Sequence, residues 1–173
     1  VYAKQFAWQA RYAGADNTLG LGNVNFIDET NNPIGVDLSD PASLDDKPVT
    51  ELHLPKGKKV LFKFRSQDVL HSAYMPHFRA QMNCVPGMVT QFAFTPKYTT
   101  EEMREQSEVM DKTRGINKIR SDKGEDLYEF DYVLLCNKIC GASHYSMQMK
   151  IVVEEEDDYK QWLAEQPTFA EKL

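Results

Sequence analysis

Residues 136–147 constrain the fold more than any other part of the chain. This stretch reads Cys-Asn-Lys-Ile-Cys-Gly-Ala-Ser-His-Tyr-Ser-Met, so it holds two thiols, one imidazole and one thioether. Thiolate and thioether ligands select copper, zinc or iron–sulfur clusters, and imidazole suits copper and zinc. The sequence therefore predicts a metal site in a loop, and the fold has to hold both ends of that loop rigidly.

The number of donors in the loop favours more than one ion. A single Cys, a His and a Met, completed by a His from far upstream, form the ligand set of a blue-copper site. Here a second Cys makes two Cys, two His and one Met, which is one ligand too many for one four-coordinate ion. Two thiolates can instead bridge two copper ions, with Met147 as a weak axial ligand and a backbone carbonyl of the loop as the other weak ligand. The upstream imidazole is His71 or His77, and spacing alone does not choose between them.

Other interpretations of the two cysteines are two buried thiols, a disulfide or half of a zinc site. Zinc usually takes a second Cys or His pair at its own short spacing, and His144 and Met147 do not form such a pair. A redox Cys-x-x-Cys motif has two intervening residues and a βαβ context, whereas here three residues intervene and the flanks resemble strands. The donor set favours copper.

The loop resembles the binuclear copper (CuA) loop of cytochrome c oxidase subunit II, whose pattern is Cys-x-x-x-Cys-x-x-x-His-x-x-Met. Three further segments resemble the same family: Gln-Phe-Ala-Trp at 5–8, Asp-Val-Leu-His-Ser at 68–72 and Val-Pro-Gly at 85–87. The chain is thus similar to the soluble CuA domain of a bacterial subunit II.

The resemblance implies two copper ions and a ligand set for them. It selects His71, which lies in the Val-Leu-His-Ser context, and leaves His77 as a solvent-facing residue or a neighbour of the ligands. The implied ligands are His71, Cys136, the backbone carbonyl of Lys138, Cys140, His144 and Met147.

Some positions depart from the family pattern. Lys138 stands where the family has a Glu whose carbonyl binds copper and whose side chain binds magnesium; an ammonium cannot ligate magnesium, so a magnesium ion is doubtful. Phe6 falls where the family has the Trp that receives electrons, and Trp8 matches the next aromatic residue, which makes both candidates for electron entry. Asn83 and Cys84 replace the usual Asp-Ala, which weakens an acidic docking patch and favours a tethered or unusual cytochrome c.

The resemblance implies that the chain transfers electrons as part of an enzyme, cytochrome c oxidase. Cytochrome c, soluble or tethered, would donate to the copper centre, and the electron would pass to haem in the catalytic subunit, where oxygen is reduced. The domain would lie on the periplasmic face of the bacterial inner membrane, held by an anchor preceding Val1. The alternatives are the CuA domain of nitrous oxide reductase, which follows a large propeller, and a periplasmic copper chaperone, which would favour an exposed, exchangeable site.

Charge and composition limit the partners. The formal net charge is −6. Nucleic acid is excluded as an expected partner because its binders present basic patches, whereas an acidic surface steers basic proteins.

No run of 18 apolar residues is present, so no segment is expected to span a bilayer. The third cysteine, Cys84, is predicted to be a small buried apolar residue.

Alternating apolar and polar residues predict strands at 60–65, 91–95 and 148–153, and a run rich in strand-forming residues predicts another at 130–135. Turn signals lie at 54–57 and 85–87. Several short strands separated by turns favour an all-β sandwich or barrel. The resemblance implies a cupredoxin-like Greek-key β-sandwich, which residues 1–173 would form as a single domain.

Three segments do not follow this alternation. Residues 28–48 are rich in Asp, Asn, Ser and Pro and are predicted to be an exposed loop. Residues 97–129 are charged and begin a helix at Thr99–Glu102, so they are predicted to be a helical or mobile insertion. Residues 154–165 have an acidic first turn and aromatic residues at helical spacing, which predicts a short C-terminal helix. His53 precedes a turn and is expected at the surface.

Overall fold

The computed structural model describes residues 1–172, and Leu173 lies outside the described residues. The described residues form ten strands and five α-helices. The strands are β1 (Tyr2–Lys4), β2 (Ala7–Tyr12), β3 (Lys47–Val49), β4 (Leu52–Pro55), β5 (Val60–Ser66), β6 (His71–Met75), β7 (Ala80–Cys84), β8 (Thr90–Phe94), β9 (Tyr132–Cys136) and β10 (Gln148–Glu154). The helices are α1 (Pro41–Leu44), α2 (Thr100–Arg104), α3 (Ser107–Asp122), α4 (Glu156–Glu165) and α5 (Phe169–Lys172).

The strands form two five-stranded sheets, in the orders β3-β2-β1-β5-β8 and β4-β10-β9-β6-β7. The pairs β1–β5 and β4–β10 are parallel, and the other pairs are antiparallel. Side chains from both sheets share one buried cluster, to which Phe64 contributes from the first sheet and Ile151 from the second. Two sheets enclosing one core make a β-sandwich, as predicted from the alternation.

The alternation places whole rows of side chains in this core. Phe62, Phe64 and Ser66 of β5 are buried, whereas Leu61, which precedes Phe62 and faces the other way, is 55% exposed. Met149, Ile151 and Val153 of β10 are buried by the same rule. Since successive side chains of a strand point to opposite faces, the rows that read as apolar in the sequence are the inner faces of the sheets.

The charged insertion lies between β8 and β9 and contains α2 and α3. A capping box begins α2: the Thr99 hydroxyl accepts from the Glu102 N–H, and the Glu102 carboxylate accepts from the Thr99 N–H. Arg104 then donates to the Phe130 carbonyl and the Asp131 carboxylate. These bonds fix the start of the insertion beside the two residues that precede β9. No residue of α3 is buried, so this helix covers the sandwich without entering its core.

Residues 28–48 differ from the exposed loop that their composition predicts. Val36 and Asp46 are buried, and so is Asn32, whose side chain donates to the Val36 carbonyl and accepts from the Val36 N–H. Asp46 forms a 2.7 Å ion pair with Arg11 of β2. The polar composition was misleading because these side chains bind the backbone and a buried cation instead of water.

The predicted C-terminal helix is α4, which lies against β4 and covers His53. The rings of His53 and Trp162 stack at 3.9 Å between centroids with 8° between their planes. His53 is therefore buried, 6% exposed, and the expectation of a surface residue is wrong. Among the residues that the structure describes, no helix is both long and apolar enough to cross a membrane.

Candidate metal centre

The candidate metal centre lies where β6 begins and β9 ends. These strands pair antiparallel, with Ala73 opposite Cys136, so the first residue of β6 and the last residue of β9 lie at the same end of the sandwich. Cys136 is the last core-facing residue of β9, and His71 is the first core-facing residue of β6. The chain then forms the loop 137–147 and enters β10, which pairs with β9. A residue 65 positions upstream is thus held against the loop by strand pairing.

The side chains predicted as ligands converge on two sulfur atoms. The Sγ atoms of Cys136 and Cys140 are 3.8 Å apart. His71 Nδ1 lies 3.7 Å from Cys136 Sγ, and His144 Nδ1 lies 3.7 Å from Cys140 Sγ. Met147 Sδ is 3.9 Å from Cys140 Sγ. Each imidazole therefore has its own sulfur neighbour, and the thioether is close to one of the two.

The loop also provides an oxygen. The carbonyl of Lys138 lies 3.2 Å from Cys136 Sγ, whereas the Lys138 side chain belongs to an exposed residue. The carbonyl oxygen of Lys138 thus faces the Cys136 sulfur, whereas the residue's side chain lies at the exposed surface. A carbonyl so placed suits the weak oxygen ligand that the family resemblance implies for Lys138.

The donor set fits a soft metal ion such as copper. Two sulfurs that are each about 2.3 Å from one tetrahedral ion lie about 3.8 Å apart, which is the separation of the two thiols here. Both are free thiols, and a disulfide would require about 2.05 Å. The ligand atoms of His71, Cys136 and Cys140 all lie within 4.8 Å of one another. Sulfur and imidazole donors suit copper and zinc.

Most of the donors are shielded from water. His71 is fully buried and Met147 is 2% exposed, while Cys136 and Cys140 are 9% and 6% exposed. Burial, followed by the neighbouring Cys136 thiol, raises the pKa of Cys140 to about 11. Without a metal this thiol keeps its proton at neutral pH, so metal binding has to release it.

The β1–β2 turn covers the loop from the other sheet. The Gln5 side chain donates to the Cys140 carbonyl, and the Phe6 ring packs so closely on Gly141 that a Cβ there would lie 2.8 Å from it. Gly141 also has φ +147°, which disfavours other residues. Trp8 donates from Nε1 to the Met147 carbonyl at 3.4 Å.

Phe6 and Trp8, the two residues predicted for electron entry, thus differ in position. Phe6 is half-buried at the surface of the turn, whereas Trp8 is 6% exposed, with its ring centroid 6.3 Å from that of His71. Both lie beside predicted ligands, but only Phe6 has a surface that a partner could touch.

His77 and Cys84 lie outside the group of donors. His77 lies in the turn beyond the far end of β6, a strand that spans about 13 Å from His71 to Met75, and its ring packs edge-on against Phe130. Cys84 is fully buried and opposite His71 in the β6–β7 pair, as expected for an apolar core residue. Burial raises the pKa of Cys84 to about 11.

Asp68 is a contact that the sequence analysis missed. Its Oδ1 lies 2.9 Å from His71 Nε2, and its Oδ2 accepts the Gln5 N–H at 2.7 Å. A carboxylate three residues before a predicted ligand was a usable signal, because ligating histidines commonly donate their second N–H to a carboxylate.

Comparisons with known proteins point to the same family. The family model for the periplasmic domain of cytochrome c oxidase subunit II matches residues 3–114. The chain belongs to the cytochrome c oxidase subunit II family. The matched range includes His71 and ends before the cysteine loop, so the loop is evidence separate from the family match.

Relatives of this subunit II domain span most of the chain. It is 39% identical over 172 residues to the alternative cytochrome c oxidase subunit 2 of Bradyrhizobium diazoefficiens, covering 98% of this chain and 51% of that protein. It is 25% identical over 112 residues to cytochrome c oxidase subunit 2 of Thermostichus vulcanus, covering 65% of this chain and 25% of that protein. The chain therefore spans about half of the first relative and about a quarter of the second.

A solved structure has the same fold. It is a mixed disulfide between a thioredoxin-like protein and subunit II of a cytochrome c oxidase. The matched chain is 19% identical, with a TM-score of 0.50, and the match covers 94% of this chain and 84% of that one. The cupredoxin-like all-β fold predicted from the sequence is confirmed.

Proposed function

We propose that this chain is the electron-transfer domain of a haem-copper terminal oxidase, with a binuclear copper centre bound by His71, Cys136, Cys140, His144, Met147 and the carbonyl of Lys138. The observation that carries the proposal is the pair of thiols 3.8 Å apart, each with its own imidazole nitrogen at 3.7 Å. When bound, the copper centre supplies a group that accepts and donates one electron.

The residues of the chain serve this function by holding the ligands still. Cys136 and His71 lie on paired strands, and the loop is fixed by the bond from the Cys136 N–H to the Met147 carbonyl and by that from the Asn137 N–H to the Ser72 carbonyl. Ligands that cannot move keep the same geometry in both redox states. Burial of His71 and Met147 excludes water from the centre.

His144 is the ligand with an edge at the surface. It is half-buried, and the side chains of Ile139 and Tyr145 on the same loop are each 88% exposed. Large apolar side chains left exposed around a ligand support contact with another protein. We assign this surface to the catalytic subunit and propose cytochrome c as the electron donor, in keeping with the names of the relatives.

The proposal includes two copper ions and a periplasmic location. The family model describes a periplasmic domain, which supports a position on the periplasmic face of a bacterial inner membrane, with an anchor outside this chain. Magnesium is not proposed, because the Lys138 ammonium cannot ligate it. The nitrous oxide reductase alternative has no support among the relatives described, and burial of the ligands disfavours a chaperone, which has to release its copper.

A thioredoxin-like reductant is the partner that we propose for maturation of the site. The solved relative was captured in a mixed disulfide with such a protein. Copper requires both cysteines as thiolates, and a dithiol reductant would convert a Cys136–Cys140 disulfide into two thiols while its own pair becomes a disulfide.

The proposal is tested by counting copper and recording the electron paramagnetic resonance spectrum. The wild-type chain is expected to bind two copper ions that share one unpaired electron, with hyperfine coupling to two equivalent nuclei. Cys136→Ser or Cys140→Ser removes a bridging thiolate and should abolish that coupling. Cys84→Ala is the matched control, because it removes a buried thiol outside the donor group and should keep two ions. One copper per wild-type chain, with coupling to a single nucleus, would refute the binuclear site.

A further inference from the structure

A chain of hydrogen bonds links the β1–β2 turn to both sides of the candidate copper site. Asp68 Oδ1 lies 2.9 Å from His71 Nε2, and Asp68 Oδ2 accepts the Gln5 N–H at 2.7 Å. The Gln5 side chain in turn donates to the Cys140 carbonyl. One residue of the turn thus contacts the carboxylate behind His71 and the backbone of a cysteine in the loop.

The two nitrogens of His71 face different groups. Nε2 faces a carboxylate. An ionised carboxylate can only accept a hydrogen bond, so Nε2 carries the hydrogen. Nδ1 faces Cys136 Sγ at 3.7 Å and keeps its lone pair. The carboxylate therefore selects the tautomer whose free nitrogen points at the sulfurs.

The Asp68 carboxylate lies at the edge of the site, where it accepts bonds from the N–H groups of Gln5 and Val69 and contacts His71 Nε2. Its side chain is 31% exposed, whereas that of His71 is fully buried. The negative charge thus lies at the boundary between solvent and the buried imidazole.

We propose that Asp68 and Gln5 are positioning residues of the copper site: Asp68 orients His71 and adds negative charge beside it, and Gln5 ties both to the cysteine loop. The inference rests on the proposed function, because it concerns residues that act through the copper ligands. A carboxylate beside a ligand imidazole strengthens its donation and favours the oxidised, more positive state of the centre. The reduction potential is therefore set partly by a residue that touches no metal.

Two substitutions of Asp68 separate its roles. Asp68→Ala removes both the charge and the acceptor for His71, and copper affinity should fall about 10–100-fold in competition with a chelator. Asp68→Asn keeps an oxygen for His71 but loses the charge, so affinity should change less and the reduction potential should rise. Asp122→Asn, which removes one carboxylate at the end of α3, is the charge control and should leave the potential unchanged.

Gln5→Ala tests the link to the loop. The backbone bond to Asp68 survives this change, whereas the bond to the Cys140 carbonyl is lost, so the two copper hyperfine couplings should become unequal with little change in potential. Gln161→Ala on the exposed face of α4 is its control.

The outcomes distinguish this inference from the proposed function. If the wild type binds two copper ions and both Asp68 variants match it in affinity, spectrum and potential, the positioning role is wrong and the copper site stands. If the wild type itself lacks the binuclear spectrum, the proposed function has failed. Should Asp68→Ala not fold, the potential of Asp68→Asn decides.

Discussion

His71 and His53 are both buried imidazoles beside carboxylates, yet only His71 has a nitrogen that faces sulfur. His53 Nε2 lies 3.1 Å from a Glu51 oxygen, its Nδ1 lies 3.0 Å from a Glu154 oxygen, and its ring is stacked on Trp162. Both of its nitrogens face acidic groups and one ring face is covered. His53 therefore joins β4, β10 and α4.

The comparison shows that burial alone does not identify a ligand. In both regions the imidazole is held by a carboxylate, and the difference is what the second nitrogen faces. At His71 that nitrogen faces Cys136, while at His53 it faces another carboxylate. In the sequence, His53 and His71 are both histidines near predicted strands and turns. In the structure, His71 is a candidate ligand, whereas His53 is a packing residue.

The largest expected effect is at His71. His71→Ala removes a strong ligand and opens one copper to water, so the symmetric electron paramagnetic resonance spectrum should be lost at stoichiometric copper. His77→Ala removes an imidazole from the far end of β6 and should retain the spectrum. The reverse result would mean that the copper is bound from the other end of the strand and would break the comparison.

The next largest effect is expected at His53, where substitution should lower the free energy of unfolding and leave the copper spectrum unchanged. His53→Ala removes a stacked ring and leaves the carboxylates of Glu51 and Glu154 without the imidazole that each contacts, which should cost about 1–3 kcal/mol of unfolding free energy. Chemical denaturation of the copper-free chain measures this cost, with His77→Ala as the exposed control. A lost copper spectrum in a folded His53→Ala chain would show that the two regions are coupled.

The smallest effect is expected at Lys138. Lys138→Ala keeps the backbone carbonyl that lies 3.2 Å from Cys136 Sγ and removes only an exposed ammonium. Both copper ions and nearly the same spectrum should remain, as metal counting and spectroscopy can check. Loss of one ion would mean that the lysine side chain orders the loop.

Much of the fold follows from local patterns in the sequence. The alternation in β5 and β10 and the capping box at Thr99 are encoded by neighbouring residues, so they could be predicted without knowing the partner strands. The four donor side chains of the loop could be predicted for the same reason, because they all lie within residues 136–147.

The contacts that the sequence did not reveal are long-range. Asp68 reaches Gln5, 63 residues away, only because β1 pairs with β5 and its turn folds over the loop. His53 is buried only because α4 returns to cover it, and Asn32 is buried because it binds backbone groups within its own loop. Composition describes the average preference of a residue, and these side chains have specific partners that override it.

The charged insertion lies in sequence between the two parts of the metal site, and this has a consequence for how the chain tolerates change. His71 and Cys136 are joined by the β6–β9 pairing, so the length of chain between them does not set their distance. Extending a flexible loop to twice its length costs only about 0.6 kcal/mol of closure entropy. Residues 121–127, exposed at the end of α3, therefore offer a place where sequence could be added without moving a ligand, so the segment is free to diverge while the cysteine loop is not.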